Sequence, residues 1–111
     1  MMEKKRRITR SEFPNNPKHR VIWSGKVIRI TYTKDEELSG NVFSTISSKK
    51  SLRTASSRNL FKRRVYHTIS KQIIYFDLKH RSKFIISILR EIKKTPTFLE
   101  IKTDIDDFLR N

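Results

Sequence analysis

Ile28, Ile30 and Tyr32 alternate with Arg29 and Thr31, the period of two that a strand with one buried face requires. They sit in a long β-branched and aromatic run, Val21 to Thr33, which Gly25 interrupts with a bulge or a turn. Val42 to Ser47 reads as a returning strand, with Asp35-Glu36-Glu37 and Ser39-Gly40-Asn41 as the exposed loop of a hairpin. From Arg58 the period changes. Phe61, Val65, Ile69, Gln72 or Ile73, and Phe76 recur at helical spacing, and Asn59, Arg63, Tyr66 and Ser70 take the opposite face. Ser56 or Ser57 offers the N-cap of this helix. Lys79 to Lys83 follows as a basic connector, and Phe84 to Leu89 is an apolar run of strand length. The last helix opens within residues 95–100, where Pro96 suits a first turn and Thr97 with Glu100 fits a capping box. Its apolar stripe is Phe98, Ile101, Ile105, Phe108 and Leu109; Glu100, Asp104, Asp106 and Asp107 fall outside.

A basic stretch over residues 4–13 predicts a short first helix closed at Phe13, because Pro14 and Pro17 prevent its continuation and Asn15-Asn16-Pro17 reads as a turn. The element order is helix, strand, strand, helix, strand, helix, and the long run at residues 21–33 has room for one more strand. This predicts an α/β protein of the α+β two-layer type, with a mixed sheet of about four strands and helices packed on it. The 111 residues form a single domain, 1–111, with one modest core. Trp23 is expected in that core at an edge strand.

Charge changes the picture. Lys and Arg number 26 against 11 Asp and Glu, a formal net charge of +15. Such an excess repels itself in the compact state and calls for an anionic partner. It is also uneven: residues 49–64 hold 7 basic side chains and no acidic one, whereas residues 95–111 hold 2 basic and 4 acidic. The acidic C-terminal segment is therefore expected to lie away from a polyanion. There is no cysteine, which excludes disulfides, thiolate metal sites and cysteine nucleophiles and fits a cytoplasmic location. No apolar run approaches the roughly 20 residues that span a bilayer, and the basic start leads into polar residues, unlike a secretory signal.

The chemistry concentrates in Lys49-Lys50-Ser51-Leu52-Arg53-Thr54-Ala55-Ser56-Ser57-Arg58-Asn59-Leu60-Phe61-Lys62-Arg63-Arg64. A cationic loop feeds a cationic helix that keeps an apolar face, and the commonest polyanion to suit such a surface is nucleic acid. The order Lys49-Lys50, Ala55, Arg58-Asn59, Lys62-Arg63 resembles the signature of the bacterial ribonuclease P protein component. Arg7 to Phe13 is similar to that family's basic N-terminal stretch, and the strand and helix from Phe84 to Leu109 resemble its ending. Leu60 stands where the family usually has Arg, Tyr66 where it often has Arg, and the glycine frequent in its basic loop is absent here.

The resemblance implies a protein subunit of a tRNA-processing ribozyme. In that family the RNA subunit removes the 5′ leader of precursor tRNA with bound magnesium, and the protein supplies no catalytic group. Lys49, Lys50, Arg53, Arg58, Asn59, Lys62 and Arg63 would bind RNA. A cleft between helix and sheet would take the single-stranded leader, with Phe13 and Tyr32 as candidate stacking platforms. The implied partners are ribonuclease P RNA and the precursor tRNA leader, with no membrane and no further protein required. The family fold also implies a left-handed βαβ crossover, against the general right-handed rule.

Other functions fit the residues less well. A basic ribosomal or ribosome-associated protein explains the charge but not the order of the motif. A nuclease acting alone needs a carboxylate or histidine constellation, yet Asp104, Asp106 and Asp107 read as an acidic helix face, Asp35-Glu36-Glu37 as a solvated loop, and His19, His67 and His80 lack metal spacing. A DNA reader would need a groove-binding helix, and the last helix is too acidic. His67, on the outward face of the motif helix, is available to RNA.

Overall fold

The computed structural model describes residues 20–35 and 40–110. The expected N-terminal helix, Phe13, His19 and the turn at Asn15-Asn16-Pro17 lie outside them. Six elements follow in order: β1 Arg20–Ser24, β2 Ile28–Lys34, β3 Val42–Ile46, α1 Ala55–Lys79, β4 Ser82–Ile88 and α2 Phe98–Arg110. The sheet order is β1-β2-β4-β3. β1 pairs antiparallel with β2, β2 antiparallel with β4, and β3 parallel with β4. The sheet is mixed and four-stranded, with the helices on one face, as the pattern predicted.

The room for an extra strand is used. The run interrupted by Gly25 splits into β1 and β2, and Gly25 N donates to Ile28 O at 2.8 Å to close the turn. The expected hairpin between β2 and β3 is not formed. β4 intervenes between them, and β3 reaches it as a parallel neighbour through α1, a βαβ unit. The connector after α1 is also shorter than expected, since the helix runs to Lys79 and β4 begins at Ser82.

The register places Tyr32, Phe84 and Phe43 side by side across three strands. Phe43 and Phe84 stack at 5.1 Å and 12°, and Phe76 of α1 meets both edge-on. Phe108 of α2 adds edge contacts to Phe84, Tyr32 and Trp23, which places Trp23 against the core on edge strand β1. Such ring pairs contribute roughly 0.5–1.5 kcal/mol each beyond area burial. Phe61, Val65, Ile69 and Phe76 form the buried stripe of α1, and Ile101, Ile105, Phe108 and Leu109 that of α2; Phe98, expected on the α2 stripe, is 49% exposed at the first position of the helix.

Two residues assigned to outer faces turn out to be inside. Tyr66 is buried and its hydroxyl reaches Phe43 O. It lies three and seven residues before Ile69 and Ile73, so it belongs to a flank of the same stripe. Asp104 is 1% exposed. Its Oδ1 accepts from Lys26 N at 2.9 Å, and its Oδ2 accepts from Val27 N and Ile28 N at 2.8 and 3.0 Å. The β1–β2 turn thus wraps its amides around a carboxylate carried by α2. A Cβ on Gly25 would fall inside that carboxylate, which is why glycine stands there. A second buried clasp is Asn41, expected in an exposed loop but fully buried; it donates to Asp77 Oδ1 and accepts from Ser82 N, joining the start of β3 to the end of α1 and the start of β4.

Candidate nucleic-acid interface

The basic loop is a built structure. Ser51 N and Leu52 N both donate to Ser48 O, forming a turn, and Leu52 plugs into the core at 2% exposure. Lys49, Lys50 and Arg53, on either side of that plug, are exposed. Thr54, not Ser56 or Ser57, is the N-cap of α1, and its Oγ1 accepts from Ser57 N at 3.1 Å. The first turn of α1 contains no acid, so the positive end of the helix dipole adds to the cations around it.

The motif residues divide by role. Arg58 turns back on the loop: one guanidinium nitrogen donates to Leu52 O at 2.9 Å and to Arg53 O at 3.1 Å. It fixes the shape on which Arg53 and Lys50 are displayed. Asn59, Lys62 and Arg63 are exposed. They precede Tyr66 by seven, four and three residues and so share its side of α1, the side that meets β3. Arg64 faces the other way. It donates to Pro96 O at 2.8 Å, and its guanidinium lies 5.5 Å from the Phe98 ring centroid, joining α1 to the start of α2.

Two cations absent from the motif join it in space. Lys93 and Lys94, in the β4–α2 loop, line one depression with Lys50, Ser51, Leu52, Arg53, Thr54, Ser57 and Thr95. Lys93 Nζ donates to Lys50 O at 3.3 Å. The Lys93-Lys94 doublet was visible in the sequence, but only the fold brings it beside Lys50. Four cations from two loops thus surround the N-terminus of α1, a surface that suits phosphate groups.

Tyr32 is half-buried. Its ring packs on Phe84 at 5.4 Å, Phe108 at 5.6 Å and His80 at 5.2 Å. His80 also stacks on Phe108 at 5.4 Å. Burial among these rings, with the neighbouring Lys79 charge as a lesser cause, lowers the His80 pKa below its usual 6.5. The α2 acids are engaged locally. Asp106 accepts from Lys102 and Gln72, and Asp107 pairs with Arg110. α2 caps as predicted, with Thr97 N donating to Glu100 Oε1 and Glu100 N to Thr97 Oγ1. Pro96 lies just ahead of that box, outside the helix. Among the described residues no three His, Asp or Glu side chains gather as a metal site, and no helix is long and apolar enough to cross a membrane.

A mixed four-stranded sheet with a crossover helix and a second helix on one face is an α+β sandwich, and solved structures share it. The fold is that of the ribonuclease P proteins. Two structures of the Staphylococcus aureus RNase P protein match, one of them a mutant with defective mRNA degradation activity. Their TM-scores are 0.77 for the mutant and 0.74, each at 18% identity, covering 96% and 95% of this chain and 87% and 93% of theirs. The Thermotoga maritima RNase P protein, solved in complex with 1-(4-fluorophenyl)-2-thiourea, matches with a TM-score of 0.72 at 12% identity, covering 85% of this chain and 87% of its own. At these identities the shared property is the fold. No family model matches the chain, and no curated protein matches it in sequence.

Proposed function

We propose that this chain is the protein subunit of ribonuclease P, binding the catalytic RNA and the 5′ leader of precursor tRNA to assist removal of the leader. The observation that carries this reading is a coincidence. The chain has the RNase P protein fold, and the Lys49-Lys50…Arg58-Asn59-Leu60-Phe61-Lys62-Arg63 signature falls on the loop and first turns of the crossover helix. In this reading Lys49, Lys50, Arg53, Asn59, Lys62 and Arg63 meet the RNA subunit directly. Arg58 shapes their loop, and Lys93 and Lys94 extend the same surface.

The protein's contribution is electrostatic and positional. Cations held on phosphates reduce repulsion between two RNAs without reading sequence, as a leader of variable sequence requires. Magnesium, the metal of the reaction, is held mainly by the RNA subunit, and no protein side chain acts on the scissile bond. The leader takes the cleft between helix and sheet, with Tyr32 and Phe13 as its aromatic candidates. Because Tyr32 also packs on three rings, its removal costs stability as well as leader affinity. Ribonuclease P RNA and precursor tRNA suffice as partners, and the cytoplasm is the compartment.

The test is precursor-tRNA cleavage by the cognate ribonuclease P RNA at low magnesium, with and without this protein. Cleavage at the mature 5′ end that depends on the protein is the expected result. No stimulation would favour the alternative of a basic ribosomal RNA-binding protein, and cleavage without any RNA subunit would sink the assignment of the chemistry to RNA.

A further inference from the structure

On the flank of α1 turned away from Asn59 and Lys62, α1 and α2 leave a groove of about 420 Å³ between them. His67, Lys71 and Gln72 line it from α1, and Phe98, Leu99 and Lys102 from α2. Its aromatic and aliphatic lining is open to solvent: Phe98 is 49% exposed and Leu99 72%. The Phe98 ring is steadied on two sides, by the His67 edge at 5.3 Å and by the Arg64 guanidinium at 5.5 Å. The cationic side chains beside it are Lys71, Lys102 and Arg64. Asp106 meets the groove wall, pairing with Lys102 at 2.7 Å and accepting from Gln72, while Glu100 is held in its own helix cap.

We propose that this groove is a second RNA site, taking an unpaired nucleobase on Phe98 with its phosphate against Lys71. The proposal rests on the RNA-binding reading above but places a contact on a different flank of the helix from Asn59 and Lys62. Arg64 lies over one face of the Phe98 ring; any base can stack on the other, and Lys71 complements the strand's charge. Two other occupants fit less well. A second copy of a chain with net charge +15 would be repelled. An amphipathic helix needs anchors from i to i+7, about 10 Å at 1.5 Å per residue, whereas residues 67–72 give the groove wall only about 7.5 Å. α1 would thus lie between two RNA segments, bound to one by phosphates and to the other by a base.

The experiment measures binding of the full chain to a short single-stranded oligoadenylate and to an RNA duplex of the same length, for the unmodified protein, Phe98→Ala, Lys71→Glu and Arg63→Ala. Phe98→Ala is expected to weaken single-strand binding roughly ten-fold and to leave duplex binding unchanged. Lys71→Glu should weaken the single strand too, and Arg63→Ala should weaken both. If Phe98→Ala does not fold, Leu99→Ser replaces it, with a loss of a few-fold expected. Unchanged single-strand binding in the groove variants, with Arg63→Ala still impaired, overturns this site and leaves the motif surface standing. Absence of any RNA binding by the unmodified protein overturns both. Self-association that disappears in Phe98→Ala would assign the groove to a second copy and overturn the inference.

Discussion

Single residues decide more here than their surroundings in sequence suggest. Asp104 accepts three backbone N–H groups from another element, and hydrogen bonds to a buried charged group are worth about 1.5–3 kcal/mol each when broken one-sidedly. Asp104→Ala is expected to lower unfolding free energy by about 3 kcal/mol in urea titration, and Asp104→Asn by less, since the amide keeps one acceptor. Its position was legible in principle. Asp104 follows Ile101 by three and precedes Phe108 by four, squarely on the α2 stripe. Reading charge as exposure hid it, because only a partner three strands of sequence away makes burial of that carboxylate tolerable. His80 carries a second residue-scale consequence. Its folded pKa is lowered, so below about 6.5 the unfolded state binds more protons and stability falls with pH, levelling off beneath the folded value. Thermal melts should show a shallower acid loss in His80→Gln than in the unmodified protein; parallel profiles would contradict the linkage.

At the scale of elements, α1 has three working sides. Its core side is the stripe that periodicity predicted. Its β3 side carries Tyr66 and, nearer the N-terminus, the exposed Asn59, Lys62 and Arg63. Its α2 side carries Arg64 and His67. The four cations of α1 within the stretch from Lys49 to Arg64, namely Arg58, Lys62, Arg63 and Arg64, look equivalent in sequence, yet Arg58 and Arg64 spend their guanidinium groups on backbone carbonyls. Arg58→Ala is accordingly expected to cost about 1–2 kcal/mol of stability together with RNA affinity. Lys62→Ala and Arg63→Ala should stay within about 0.5 kcal/mol in stability while reducing the salt slope of RNA binding by about one each. Denaturation curves beside a salt titration of affinity separate the two behaviours. A stability loss in Arg63→Ala as large as in Arg58→Ala would refute the division.

For the whole molecule, the governing quantity is the charge of +15 on one small core. Self-repulsion of exposed cations is screened within about 10 Å at 0.1 M salt. The melting temperature is therefore expected to rise by several degrees between low and moderate sodium chloride, and further with added RNA, by mass action on the folded state. A melting temperature independent of both would mean that the basic surface is not under strain.

Local patterning by itself determined the types of the described elements, the α+β class, most of the stripe of each helix, the Thr97–Glu100 capping box and the acid-free stretch from Lys49 to Arg64, because these depend on residues within a few positions of one another. Tertiary structure alone decided that β4 lies between β2 and β3, that Asp104 closes the β1–β2 turn, and that Lys93 and Lys94 stand beside Lys50. It also decided that His67 and Phe98 form one groove. Each of these joins segments distant in sequence, and the physical reason is the same in all four. Strand pairing and the satisfaction of buried polar groups are settled by which partners the packed core brings within reach, which periodicity along a single segment does not encode.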